Sequence, residues 1–422
     1  MRIAFLCYRG NMQSGGQGLY LAALTRALAE RGHEIDVFVG PPYPDPLPRA
    51  RVFPIENQQF WGARFSRDPA AFLPRPDPFR IFHPLNFYEY AVTRFGFLPE
   101  LFAFSMRAAA ALQAELRSGV RYTLVHDVQS LGYGLLWLQA LGLPVVSTIH
   151  HPLTIDRASS LRRDTHFSEL KGSLTFYPVR TQARVARRLA GILTSSAASA
   201  GEIERSFGVS PARIHNVLNG VDLPPSHGLR TRPERVELLF VGRAGDPNKG
   251  LEVLLAALAL LPPEVTLKVL DAYPQDTPLD TRVRELRLAQ RVSFVGKLPR
   301  AQLEEAFGSA TIVVLPSLFE GFGLPAIEAL AAGTPVVAAS AGALPEVIGA
   351  AGTGKLVPPA DPAALAKGIA ETLEDWPNAQ REAVAARRRL EREFAWDRVA
   401  ARVEAVYTRI GRERAGAGRD AG

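Results

Sequence analysis

Residues 310–338 place the strongest constraint on what this 422-residue chain can become. Ala310-Thr-Ile-Val-Val-Leu315 is a strand-length, near-continuous apolar run, the pattern of a parallel strand covered on both faces. A glycine-rich turn follows. Pro325 stands at a first helical position, Ala326 to Ala332 are small helix formers, Gly333 stops the helix and Pro335-Val-Val-Ala338 starts another strand. Strand, loop, helix, strand predicts an α/β fold with a doubly wound sheet, whose ligands bind at the carboxyl ends of the strands. The helix start beside a flexible loop favours an anion, placed over Gly321, Phe322, Gly323 and Leu324. Glu320 and Glu328 flank it. Carboxylates do not bind phosphate but accept strong hydrogen bonds from sugar hydroxyls, which a nucleotide sugar carries on both sides of its diphosphate. The plainer alternative is that both acids only complement the helix dipole.

The length is too great for one ordinary core, so two domains are expected. Cys7 is the only cysteine, which excludes a disulfide framework and a cysteine-based zinc site and fits a reducing, cytoplasmic setting. Met1 to Tyr8 is too short for a signal core and is expected to be the first strand. No apolar run approaches the roughly 20 residues of a membrane span, so any membrane contact is expected to be peripheral, at the inner face. The net charge of +7 suits an anionic donor or lipid surface, and nothing in the pattern points to nucleic acid.

The first strand leads into a loop containing Gly15 and Gly16, then a helix, then a second strand ending at Gly40. The glycines allow close backbone approach to a phosphate. A dinucleotide site is the rival reading; it lacks G-x-G-x-x-G and the acid that would take a ribose hydroxyl. Pro41 to Pro99 is rich in proline and aromatics, from Phe72 to Phe97, and reads either as loops and short helices or as an acceptor-binding or lipid-facing surface. A helix near 102–117 leads to a strand ending in His126-Asp127, and a later strand ends in His150-His151. A metal site from these four is disfavoured, because adjacent side chains on extended chain point opposite ways. The basic run from Arg157 to Arg188 reads first as a solvated helix face. Pro224, Pro225, Gly228 and Pro233 mark a linker.

Beyond the linker, another strand ends in a glycine-containing loop carrying Arg243 and Lys249, two cations able to reach a diphosphate. No Asp-x-Asp occurs, so a reaction without a metal and without a cofactor is expected.

The two glutamates separated by seven residues, with Gly-Phe-Gly-Leu-Pro between, resemble the signature of retaining GT-B glycosyltransferases of glycosyltransferase family 4. Gly242-Arg243 with Lys249-Gly250, and Asn219-Gly-Val-Asp222, resemble the same family; Asp271-Ala-Tyr-Pro departs from its usual glycine-rich turn. The resemblance implies two Rossmann-like domains facing a cleft, at 1–225 and 226–394. A helix at 395–412 would return to the first domain, and 413–422 is expected to be disordered. It implies that Glu320 contacts the transferred sugar, Glu328 the ribose, Arg243 and Lys249 the diphosphate, and the backbone near Gly296 and Lys297 the base. Gly15 and Gly16 would face the diphosphate. His150 would lie near the reacting centre, with His151 second, and Asp127 is a weaker candidate for orienting the acceptor. The implied function is retaining hexosyl transfer from a nucleoside diphosphate sugar, a UDP- or GDP-sugar, to an acceptor that is a glycolipid, polysaccharide or other glycoconjugate. A sugar-nucleotide epimerase and a non-catalytic donor-binding partner stay open as alternatives.

Overall fold

The computed structural model describes residues 1–11, 16–58, 68–74, 77–95, 98–150, 152–154, 157, 178–273, 275 and 277–419. Gly15, His151, Arg162, Arg163, Lys171 and Phe97 lie outside the described residues. The chain divides into two compact units, one of 1–195, 199–220 and 399–422, the other of 196–198 and 221–398.

The first unit is built on seven strands: β1 (Arg2–Cys7), β2 (Glu34–Val39), β3 (Ala50–Pro54), β4 (Leu124–Val128), β5 (Val145–Thr148), β6 (Gly191–Thr194) and β7 (Ile214–Asn216). Their pairings are all parallel, in the order β3-β2-β1-β4-β5-β6-β7. Strand order therefore reverses between β1 and β4, where a doubly wound sheet opens its ligand crevice. Buried Leu6, Phe38, Val125, Val145 and Ile192 form the core with Phe104, Leu112 and Leu135 from the covering helices.

The second unit repeats this topology with β8 (Glu237–Phe240), β9 (Thr266–Val269), β10 (Val292–Phe294), β11 (Ile312–Leu315), β12 (Val336–Ala339) and β13 (Lys355–Val357). The order is β10-β9-β8-β11-β12-β13, so the reversal falls between β8 and β11. The apolar run that opened the sequence argument is β11, and all four of its residues are buried. The helix Leu324–Ala332 follows from Gly323, whose φ of 90° suits glycine.

Three expectations change. β3 arises inside the proline-rich stretch; it is an edge strand with no fully buried residue, so it lacks the apolar signature of the others. The helix expected over 102–117 begins earlier, as Glu100–Arg117. Of the tail expected after residue 412, residues 413–419 belong to the helix Trp396–Arg419, and 420–422 lie outside the described residues. Its arginines, glutamate and alanines favour helix, and Arg409 pairs with Glu413 one turn on at 3.3 Å.

Candidate donor site

In the second unit, the crevice between β8 and β11 gathers most of the candidates. The loop after β8 is shaped by Asp246, whose carboxylate accepts from Asn248 N at 3.0 Å and from Arg243 Nη2 at 2.7 Å. It is seated against the end of β11: Leu318 N donates to the Asn248 carbonyl at 2.8 Å. A Cβ on Gly250, which has φ 69°, would lie 2.1 Å from the Pro316 carbonyl oxygen. Only glycine lets the loops come this close.

That seating brings Lys249 Nζ to 2.8 Å from Glu320 Oε2. Ser317 Oγ lies 3.3 Å from the same oxygen, and the Glu320 carbonyl accepts from Ala343 N at 2.8 Å. Three residues on, Gly323 starts the helix with Pro325 in its first turn and no side-chain hydrogen bond at the cap. A helix start of this kind beside a lysine has the geometry and charge that suit an anion. Arg243 is exposed and swings from the outer side of the same loop.

Glu328 lies deeper in that helix and is 5% exposed. Burial raises its pKa, opposed by Arg300, whose Nη1 donates to Oε1 at 2.6 Å. Arg300 also binds Glu304 at 2.6 Å and the Asp222 carbonyl at 3.1 Å. The sequence reading missed Arg300. The available signal was its position as first residue of the helix Arg300–Ser309, just past the Gly296–Lys297 turn. Gly296, at φ 76°, donates its amide to the Asp271 carbonyl at 3.1 Å, and Lys297 is exposed beside it. The Asp271 carboxylate accepts from Ala244 N at 2.7 Å, so the unusual Asp271 turn ties the base-side loop to the cationic loop.

In the first unit, Gly16 opens the helix Gly16–Glu30 after β1. His150 follows β5. Its amide donates to Gln129 Oε1 at 2.9 Å, and its Nε2 is buried with no hydrogen-bond partner among the described residues. Burial lowers its pKa to about 4, so the ring is neutral at pH 7 and can give or accept a hydrogen bond with a hydroxyl.

Asp127 does not face an acceptor. It is wholly buried, and its carboxylate accepts from Ser130 N at 3.0 Å, Leu131 N at 3.2 Å, Ser147 Oγ at 2.7 Å and the Ser130 hydroxyl. Those bonds close the turn after β4 and use its lone pairs. His126 is also buried, with Nε2 at 2.7 Å from Thr148 Oγ1 and Nδ1 bonded to the Tyr407 hydroxyl. Both nitrogens are therefore engaged, and among the described residues no group of three His, Cys, Asp or Glu is arranged to hold a metal ion.

Residues 227–389 match the family model described as glycosyl transferases group 1, and residues 14–224 match that of glycosyltransferase family 4. The MMP alpha-(1->4)-mannosyltransferase of Mycolicibacterium hassiacum is 38% identical over 421 residues, covering 96% of this chain and 98% of the relative. The glycogen synthase of Mycobacterium tuberculosis is 35% identical over 274 residues, 64% of each chain. Among solved structures, sucrose-phosphate synthase from Thermosynechococcus elongatus has a TM-score of 0.70 at 24% identity, covering 97% of this chain and 99% of that one. Anabaena Alr3699/HepE in complex with UDP has a TM-score of 0.65 at 21% identity, covering 97% and 100%. These structural likenesses show the fold. Two parallel-sheet units, the matched models and the full-length relative together place the chain in the group 1 glycosyltransferases of family 4, with the GT-B fold.

Proposed function

We propose that this protein transfers a hexose from a nucleoside diphosphate sugar to a carbohydrate acceptor with retention of anomeric configuration. The observation that carries the reading is the Lys249–Glu320 pair at the uncapped start of the helix Leu324–Ala332. The helix amides and Lys249 supply positive potential for a diphosphate leaving group, which lowers the barrier most where negative charge develops. Lysine has three N–H donors, so it can keep Glu320 while meeting phosphate oxygens. Arg243 adds a second, outer cation. Glu320 is then placed to accept from hydroxyls of the transferred sugar, and Glu328, held by Arg300, from those of the ribose. His150 is given the sugar side on the resemblance and on its unpartnered, neutral nitrogen. Among the described residues no side chain is arranged as a covalent nucleophile, so the reading uses front-face displacement assisted by the departing diphosphate, as the resemblance implies.

The name of the full-length relative makes an α-linked mannosyl transfer the first case to test. UDP-glucose, GDP-mannose and ADP-glucose would each be supplied with and without an α-(1→4)-linked mannooligosaccharide, and products followed by NMR. The expected result is a new α-anomeric signal on the acceptor from one donor, unaffected by EDTA. A β-linked product would overturn retention. An altered sugar nucleotide without acceptor would identify an epimerase, and binding without turnover of any donor would leave only a donor-binding partner.

A further inference from the structure

The surroundings of His150 are assembled from residues far apart in sequence. The edge of Tyr20 meets its ring, with centroids 4.5 Å apart and planes at 80°. Tyr20 is itself anchored: its hydroxyl lies 3.0 Å from Thr148 Oγ1, the oxygen that also lies 2.7 Å from His126 Nε2. His126 is bonded at its other nitrogen to Tyr407 and stacked on Phe5 with centroids 4.8 Å apart. Tyr20, Thr148, His126 and Tyr407 are all buried.

Such a chain is stiff for a physical reason. Breaking either bond of His126 leaves a buried ring nitrogen unpaired, so its rotamer is fixed by Thr148 and Tyr407. Among the described residues His150 has a backbone tie to Gln129 and no bond at Nε2, so these hydrogen bonds leave its ring orientation undetermined. The edge-on contact with Tyr20 sets that orientation, because aromatic pairs of this kind prefer a defined geometry.

We propose that Tyr20 is a positioning residue that holds the His150 imidazole, and that Thr148 and His126 tie this placement to Tyr407 on the last helix. The proposal rests on the donor-side role given to His150 above. Tyr20 acts through His150 and touches no reacting atom.

Two measurements on the full chain test it. With histidine-selective ¹⁵N labelling, the His150 ring signals are assigned by their loss in His150→Gln. Tyr20→Leu should remove their ring-current shift and move their titration midpoint up by about one pH unit as water enters. Tyr20→Phe should move them less and in the same sense. His150 signals unchanged in both variants overturn the proposal; should the leucine variant fail to fold, the phenylalanine variant decides by the same readout. In parallel, release of nucleoside diphosphate from UDP-glucose and GDP-mannose is measured in Tyr20→Leu, His150→Ala and the double variant. The single Tyr20→Leu change should lower kcat about tenfold with donor KM within about twofold, and should add nothing in the His150→Ala background. Equal losses in both backgrounds overturn the proposal, since Tyr20 would then act on the fold. Wild-type turnover by His150→Ala, or no turnover by the wild-type protein, counts instead against the functional reading, and the NMR measurement then decides the placement alone.

Discussion

Lys249 Nζ and Glu320 Oε2 lie 2.8 Å apart although the residues are 71 positions apart in the chain. β8 and β11 are neighbours in the sheet, so the pair bridges the point where strand order reverses. In the proposed function this pair joins a cation for phosphate to an acceptor for sugar hydroxyls.

Lys249→Ala should lower kcat/KM by about 10- to 150-fold, the range for losing a charged hydrogen bond of roughly 1.5–3 kcal/mol. Arg243→Ala should cost less, because Arg243 is exposed and already paired with Asp246. Glu320→Ala should act mainly on kcat and Glu328→Ala mainly on donor KM. Steady-state kinetics on folded variants check the order; normal kinetics with a slightly lower Tm would reduce both glutamates to dipole partners.

Arg300 is expected to matter through Glu328. Arg300→Met leaves a buried carboxylate without its cation, favours the protonated form and should raise donor KM about tenfold. In a Glu328→Gln background the same change should have little further effect. Independent losses in a double-mutant cycle would separate the two residues.

Gly250→Ala should be worse than an ordinary loop substitution. Its φ of 69° and the Pro316 carbonyl 2.1 Å from the added Cβ force the β8 loop away from β11. The pair Lys249–Glu320 would open, so donor affinity should fall together with Tm. A thermal-shift titration with UDP and GDP measures both, and unchanged values would mean that the loops do not need this approach.

Stability should depend on pH with a sign set by three buried groups. Burial lowers His126 to about 3 and His150 to about 4, against an ordinary 6.5, and raises Asp127 from 3.8 to about 6. Below pH 6.5 the unfolded chain binds protons that the folded histidines refuse, so stability falls as pH drops, by about 1.4 kcal/mol per unit for each histidine. Asp127 has the opposite sign, because the folded state takes its proton first, and it offsets about one histidine between pH 6 and 4. Tm should therefore fall on acidification from about pH 6.5 to pH 4, with a net slope worth about one histidine. His150→Gln should remove most of that slope, because His126 and Asp127 then nearly cancel between pH 6 and 4; an unchanged slope would place His150 in water.

Phe79, Phe82, Phe87 and Phe95 are each more than half exposed on the segment leading into and along the helix Pro84–Arg94. Two nearby acids are paired, Glu89 with Arg107 at 2.6 Å and Glu56 with Arg80. These exposed phenylalanines are expected to enter a bilayer interface. Flotation with anionic vesicles should recover the protein, and Phe79→Ser with Phe82→Ser should abolish recovery. No recovery would leave an exposed surface without a lipid partner.

Much of the donor site was readable in one dimension. A parallel strand buried on both faces has to be apolar along its length, so β11 and the strands like it announce themselves, and a helix that starts on glycine and proline marks the anion position. Glu320 and Glu328 share one loop and helix, and their spacing is local information. The partners of those residues are not local. Arg300 reaches Glu328 across 28 positions, and Lys249 reaches Glu320 across 71, because the order of strands sets which loops meet. Asp127 was misjudged for the same reason: a carboxylate at a strand end carries no sign of whether it faces solvent or the serines and amides of its own turn. β3 was missed because an edge strand need not be apolar, and the last helix outran its expected end because its pairs lie one turn apart on a polar face. The candidate residues could be named from local pattern. Which charges neutralise each other, and which histidine keeps an unpartnered nitrogen, was decided by tertiary packing, since burial and pairing depend on distances between residues that the chain itself keeps far apart.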